Sequence, residues 1–289
     1  MERLIFHVDV NSAFLSWEAA KRVKEGLPDL REIPSCIGGD PKSRRGIVVA
    51  KSIPAKKYGV TTGEPVALAL RKCPDLVCVP GDFALYQRCS RAFKEICASY
   101  APAMESFSID EVFLDMTGTH LIYPDPVAVA HEIKDKIRDD LGFTVNVGIG
   151  TNKLLAKMAS DFEKPDKVHT LYKEEIQEKM WKLPVEDLFM AGKSSVNVLH
   201  KLGIFTIGQL AKSPVTILDA HLKSHGRVLW EYANGIDESV VNTKREDLKG
   251  VGNSTTLPKD LDNIVEINRI LLRLSEKVSG RLREGKQKA

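Results

Sequence analysis

The chain has 289 residues, a net charge of +3, 43% hydrophobic and 28% charged residues. That is an ordinary globular composition with apolar material for two or more domains, and it excludes a disordered or fibrous chain. So weak a positive charge does not by itself argue for nucleic acid, and no apolar run approaches the ~18 residues of a membrane span.

The first element is a strand, RLIFHVDVN, closing on Asp9. The start is too short in apolar length for a signal peptide. FLSWEAAKRVKEG follows with helical period and stops at Gly26. GIVVAKS reads as a short strand. IPAKKYGVTTGEPVALALRKCP reads as a turn, a loop and a short helix ending before Pro74. DFALYQRCSRAFKEICASYAP is an amphipathic helix with Phe83, Tyr86, Phe93 and Ile96 as its candidate core face.

SFSIDEVFLDM alternates in period two, with Phe107 and Ile109 before, and Val112 and Leu114 after, the adjacent carboxylates Asp110 and Glu111. DPVAVAHEIKDKIRDDLG is a helix with Pro126 near its start and Gly142 at its end. FTVNVGIG is a strand. TNKLLAKMASDFEKP is a helix that Thr151 and Asn152 are placed to cap.

This order of elements approaches a ferredoxin-like βαββαβ unit with material inserted after the first strand. An antiparallel sheet with helices on one face is expected. Neighbouring strands would then bring Asp9 beside Asp110, although they are far apart in the chain.

From about residue 170 the pattern turns helical and short-segmented. AGKSSVNVLHKLGIFTIGQLA resembles a helix-hairpin-helix, in which small residues let backbone N–H groups approach a phosphate; Gly192 is in place, and Ser194 stands where a second glycine is usual. A plain helical turn is the alternative. HLKSHGRVLWEYANGID is a weaker second copy. The tail holds one strand-like piece and one helix, with Ile264, Ile267, Ile270, Leu271, Leu274, Val278 and Leu282 as an apolar stripe. Such a stripe needs a sheet to bury against, and the chain stops before supplying one, so the sequence reads as cut short.

Two side charges of one sign repel and raise each other's pKa unless a cation holds them. Asp9, Asp110 and Glu111 converging on one spot make a poor zinc site and a good magnesium site, because magnesium takes hard oxygen ligands and shares phosphate oxygens. The alternatives are a helix-capping Asp9 and a polar hairpin turn at Asp110–Glu111. His221 and His225 stand four apart, but no Cys or third His lies near them, so a zinc reading is disfavoured. The five cysteines, Cys36, Cys73, Cys78, Cys89 and Cys97, form no CxxC pair and fit free thiols in a reducing cytoplasm.

HVDVNSAFLSWE, GGDPKSRRGIVVAKSIPAKKYGV, SFSIDEVFLDMTG, VGIGTNKLLAKMASDFEKP, ANGID and STTLPKDL, in this order and spacing, resemble the Y-family translesion DNA polymerases, the group of the DinB and UmuC proteins. The resemblance runs the length of the chain. It implies an α+β fold: a ferredoxin-like palm (residues 1–14 and 79–167) with inserted fingers (15–78), a helical helix-hairpin-helix thumb (168–238) and an incomplete little-finger domain (239–289).

It implies template-directed nucleotidyl transfer on primer-template DNA from deoxynucleoside triphosphates. Two Mg2+ ions, with Mn2+ as a substitute, would be held by Asp9, Asp110, Glu111 and the Val10 carbonyl. Phe14 would be the steric gate under the nucleotide sugar; its bland reading is a core aromatic. Ser108 and Asp115 would flank the site; the alternative for Asp115 is an exposed strand residue. Lys164 would meet the triphosphate; otherwise it is a solvated loop lysine. A bacterial cytoplasmic location at the nucleoid and no membrane partner follow. The segments that bind the sliding clamp in this family lie beyond the end of this chain, so that partner is expected only of a longer protein.

The chain departs from the family pattern in SIPAKKYGV. Ile53 stands where Tyr is usual, and Lys56 where Arg is usual. Lys56 offers the triphosphate a point charge in place of a planar fork. A lost charge-assisted hydrogen bond costs about 1.5–3 kcal/mol, so weaker nucleotide binding is expected unless Lys51 or Ser52 substitutes. Two other readings stay open: a palm-type nucleotide cyclase, and a polymerase-like DNA-binding module with weak or no catalysis.

Overall fold

The computed structural model describes residues 3–40, 46–244 and 250–287. In chain order it holds β1 (Ile5–Val10), α1 (Ala13–Lys24), β2 (Ser35–Gly38), β3 (Val48–Lys51), α2 (Ile53–Lys57), α3 (Val66–Lys72) and β4 (Val77–Val79). Then come α4 (Phe83–Ala98), β5 (Ala103–Ser106), β6 (Glu111–Asp115), α5 (Pro126–Leu141), β7 (Val145–Gly150), α6 (Lys153–Ser160) and β8 (Val168–Leu171). Last are α7 (Lys193–Lys201), α8 (Ile207–Ala211), α9 (Val215–Leu222), α10 (Ser224–Ala233) and α11 (Ile264–Glu284). The chain divides into two units, Met1–Pro28 with Asp82–Thr243, and Asp29–Gly81 with Lys244–Ala289.

The first unit is built on a sheet of order β5-β6-β1-β7-β8. Its first four strands pair antiparallel in the ferredoxin-like order, and β8 adds a parallel edge beside β7. The caps form where the sequence offers them. Asn152 accepts from the Leu155 N–H at the start of α6, and Asp125 accepts from Val127 and Ala128 at the start of α5. Gly142 closes α5 in the left-handed conformation.

Helices cover both faces of the sheet, where the sequence pattern predicts one. The cause lies in β7. A Cβ built on Gly148 would meet the Ala156 carbonyl oxygen at 2.0 Å, and one on Gly150 would meet the Ala156 nitrogen at 2.7 Å. Two glycines at alternate positions thus clear a strip on which α6 lies directly against the strand backbone. Val145, Val147 and Ile149 alternate with them and point to the opposite face, where α4 and α5 pack together. Burial on both faces explains why all six residues of β1 and of β7 are buried.

The alternation through residues 106–116 is interrupted: residues 107–110 form a turn, and the strand restarts at Glu111. Val112, Phe113 and Leu114 are all buried because β6 is an interior strand, while Phe107 is exposed. Phe83, counted into the α4 core face by its spacing, is exposed; Leu85, Tyr86, Ser90, Phe93 and Cys97 form that face.

Residues 171–233 wrap a second core in this unit, with Met180, Leu188, Leu199, Ile207, Leu210, Leu218 and Leu229 inside it and Leu154, Leu155 and Met158 of α6 joining it. Gly192 is the N-cap of α7, and Gly192 and Ser194 are both exposed there.

The second unit holds a three-stranded sheet of order β3-β2-β4. Only β3 is predicted from sequence, since four- and three-residue strands carry too little period to read. Its small core includes Cys36, Val48, Ala55, Val66, Ala69, Cys73 and Leu76. Helix α11 forms as predicted but has no fully buried residue. Of the strand-like piece ahead of it, residues 245–249 lie outside the described residues, and residues 250–263 carry no strand.

Candidate active site

The sheet register decides which carboxylates meet. In the β1–β6 pair, Asp9 lies directly opposite Glu111; in the β1–β7 pair it lies opposite Asn146. Side chains of directly opposed residues share a face, so Asp9 and Glu111 both point toward α6. Asp110 sits one residue ahead, at the end of the turn. Its carbonyl accepts from the Val10 N–H (3.0 Å), and its carboxylate accepts from the Ser108 hydroxyl (2.6 Å). The Phe107 and Ser108 N–H groups both donate to the Glu111 carbonyl, which closes the turn. Asp9 does not cap the next helix; Ser12 takes the N-cap position.

Two lysines face these acids. Lys157 of α6 donates to Glu111 Oε1 at 2.8 Å. Lys164, on the loop after α6, contacts both Asp9 and Asp161. A network of amides holds that loop at the end of β1. Asn11 donates to Asn146 Oδ1, Asn146 donates to the Ser160 and Glu163 carbonyls, and the Asp166 N–H donates to Asn11 Oδ1.

Burial pushes the Asp9 carboxyl up to about 6, helped by Glu111 and Asp161, while Lys164 pulls the other way. Desolvation therefore outweighs the one cation at hand.

Do these residues fit a divalent cation? Among the described residues, no three His, Cys, Asp or Glu side chains are drawn into a ready-made cage. The donor set does fit: hard carboxylate oxygens at the end of β1 and the start of β6, with a backbone carbonyl at Val10. Burial keeps the Asp9 carboxyl raised even with Lys164 against it, so its charged form would gain from a further cation. Lys157 and Lys164 hold the acids as they stand.

The other predicted residues fall in different places. Phe14 is half-buried, not a sealed core aromatic, and packs on Tyr86 (centroids 4.8 Å), Trp17 (5.8 Å) and Phe83 (6.3 Å). Ser108 orients Asp110 as expected. Asp115 does not flank the site: it pairs with Ile5 at the far end of β6 and accepts from the Thr117 N–H in the next turn.

Lys56, Ile53, Lys51 and Ser52 belong to the second unit. Ile53 is exposed at the start of α2. Ser52 is buried, and its hydroxyl is committed to the Ile33 carbonyl and to the Ala55 and Ser35 N–H groups. Of the two substitutes for the missing tyrosine, that leaves Lys51. Lys157 and the Asn11–Asn146 pair are absent from the sequence-based set. The Lys153–Lys157 spacing of four on α6 was the available signal, since it places both on one helix face.

The comparisons with known proteins bear on the family and the fold. Residues 8–161 match the model of the impB/mucB/samB family, and residues 248–289 match that family's C-terminal domain. A DNA polymerase IV of Clostridium acetobutylicum is 52% identical over 285 residues, 98% of this chain and 72% of that protein. The chain belongs to the Y-family of DNA polymerases, in the DinB-type group. DNA polymerase IV 2 of Bacillus subtilis is 38% identical over 98% of this Y-family chain and 68% of its own length.

Among solved structures, a Y-family DNA polymerase chimera of Dbh and Dpo4 superimposes with a TM-score of 0.85 at 23% identity, covering 96% of this chain and 80% of that one. DinB from Sulfolobus solfataricus gives a TM-score of 0.74 at 23% identity, over 83% and 69%. Both likenesses bear on the fold, which is α+β. Among the described residues, no helix is long and apolar enough to cross a membrane.

Proposed function

We propose that this Y-family chain is a template-directed DNA polymerase of the translesion type, and that Asp9, Asp110, Glu111 and the Val10 carbonyl hold two Mg2+ ions at its centre. The observation that carries the reading is the register that sets Asp9 opposite Glu111, with Asp110 tied to β1 through Val10. Bound there, the metal pair would supply charge neutralisation at the attacking and leaving oxygens of an in-line displacement.

The chain's own residues do the rest. Asp9, Asp110 and Glu111 would hold the metal pair and balance its positive charge. Lys164 turns from Asp9 to the phosphates of a deoxynucleoside triphosphate, where a cation stabilises charge passing to pyrophosphate. Phe14, half-buried against Tyr86, presents a ring face beneath the sugar and leaves no room for a 2′-hydroxyl. Lys56 offers a phosphate a point charge in place of a planar fork. Gly192 and Ser194, exposed at the start of α7, offer backbone and hydroxyl donors to a DNA phosphate.

In this reading residues 1–14 and 79–167 act as palm, 15–78 as fingers, 168–238 as thumb and 239–289 as part of a little finger. The place of work is the bacterial cytoplasm, on DNA.

Primer extension with Mg2+, beside an Asp110→Ala control, tests the reading. Extension that disappears in the control supports it. DNA binding without extension favours the non-catalytic module, and a cyclic nucleotide made without DNA favours the cyclase.

A further inference from the structure

Lys157 occupies a place where lysines are rare. It lies on the face of α6 that packs on the sheet and is 9% exposed. A buried ammonium needs a paired anion and cover for the rest of its surface. Glu111 is the anion, at 2.8 Å. Phe107 and Phe189 are the cover, with ring centroids 5.8 and 5.4 Å from Nζ, inside cation–π range.

The two rings are themselves fixed. They meet edge to face at 6.3 Å. The Phe189 N–H donates to Met158 Sδ, and its ring stacks on Tyr232 at 6.1 Å. The clamp therefore joins three parts of one unit: the turn that carries Asp110, helix α6, and the helical residues around 189 and 232. Lys164 is a contrast. Its side chain is 36% exposed, and it has two carboxylates to choose from, Asp9 and Asp161.

We propose that Lys157 is a positioning residue for nucleotidyl transfer: held between Phe107 and Phe189, its ammonium fixes Glu111 through Oε1 and keeps that carboxylate facing Asp9. The inference rests on the reading of Glu111 as a metal ligand. It also ties the orientation of Glu111 to the seating of the helical residues, because Phe189 and Tyr232 belong to them.

The test uses the full chain with Lys157→Met, which keeps length and loses charge, Lys157→Arg, which keeps charge, and Phe189→Leu. Two quantities are read: primer-extension kinetics, and Mn2+ binding to the free chain by electron paramagnetic resonance. In Lys157→Met, Mn2+ binds about tenfold more tightly because a positive neighbour of Glu111 is gone. In the same variant kcat falls about tenfold, while the nucleotide KM stays within about twofold, the split expected when a group acts only in the transition state. Lys157→Arg restores both quantities, and Phe189→Leu lowers kcat by about threefold.

A lysine that serves only packing would lower thermal stability and leave Mn2+ affinity and kcat unchanged. That result overturns the proposal, as does an Arg variant no better than Met. Should Lys157→Met not fold, an unchanged kcat in Phe189→Leu overturns it instead. A wild-type Mn2+ site that survives Asp9→Asn, in a chain that does not extend primers, removes the reading of the carboxylates and this inference with it. A site lost in Asp9→Asn but indifferent to Lys157 removes this inference alone.

Discussion

The carboxylate end of the sheet and helix α11 are both places where the chain leaves something uncompensated, but of different kinds. At the sheet, Asp9 is almost sealed from water, and its contact with Lys164 does not offset that burial. On α11, Ile267, Ile270, Leu274, Val278 and Leu282 are half-covered, and Ile264, Val265, Leu271 and Leu272 are exposed. A buried charge without a full partner costs much and is kept where chemistry uses it. Exposed aliphatic groups cost little one at a time. Incomplete compensation therefore points to function in one region and only to weak packing in the other.

The largest effect expected from breaking this contrast is on catalysis. Asp110→Ala should lower primer extension by about a thousandfold or more, since an electrostatic group at a reacting oxygen is worth about that much. Gel analysis of extension under excess nucleotide checks it, and extension within tenfold of wild type would end the assignment.

Next is stability. Burial raises the Asp9 carboxyl to about 6, against about 4 for an ordinary aspartate, so the folded state prefers the protonated acid. The sign follows: folding is least penalised below about pH 4, and stability is lost as pH rises through about 6. The shift corresponds to about 3 kcal/mol at neutral pH, as an upper bound. Metal-free Asp9→Asn should therefore melt several degrees higher than wild type at pH 8, and the gain should shrink toward pH 4. A variant that melts lower at pH 8 would show Lys164 to be a better partner than desolvation allows.

Smaller again is sugar selection. Phe14→Ala should raise incorporation of ribonucleotides about tenfold relative to deoxynucleotides, because the lost ring is what fills the space beneath the sugar. Competition assays on one primer give that ratio, and an unchanged ratio would return Phe14 to a packing role. On α11 the effect should nearly vanish. Leu272→Lys changes an exposed position, so its melting temperature should match wild type to within about 0.5 kcal/mol equivalent. A clear loss would mean the exposed row is covered in solution.

Sequence made the fold legible where period and caps act locally. Strand β1, the glycine end of α5 and the Asn152 cap of α6 follow from residues close to them in the chain. It missed β2, β4 and β8, whose three or four residues pair only because distant segments present an edge. It placed helices on one face because the ferredoxin-like order of elements carries them there; Gly148 and Gly150 read only as part of a strand, while their effect is to admit a helix against its backbone. At the site, Asp9, Asp110 and Glu111 stood out as charges in apolar runs. Lys157 did not, because a lysine on a helix is unremarked until the structure shows that it faces inward. Asp115 misled for the opposite reason: nearness in sequence to Glu111 becomes distance along an extended strand.

The amides of Asn11 and Asn146 that seat the loop before β8 carry no charge. Dissolved ions weaken attraction between Lys164 and Asp9 but leave dipolar bonds between buried amides almost untouched. Ionic strength can thus loosen the lysine without unmooring the segment that delivers it, so the protein can surrender an electrostatic contact during turnover and recover it from an unmoved starting point.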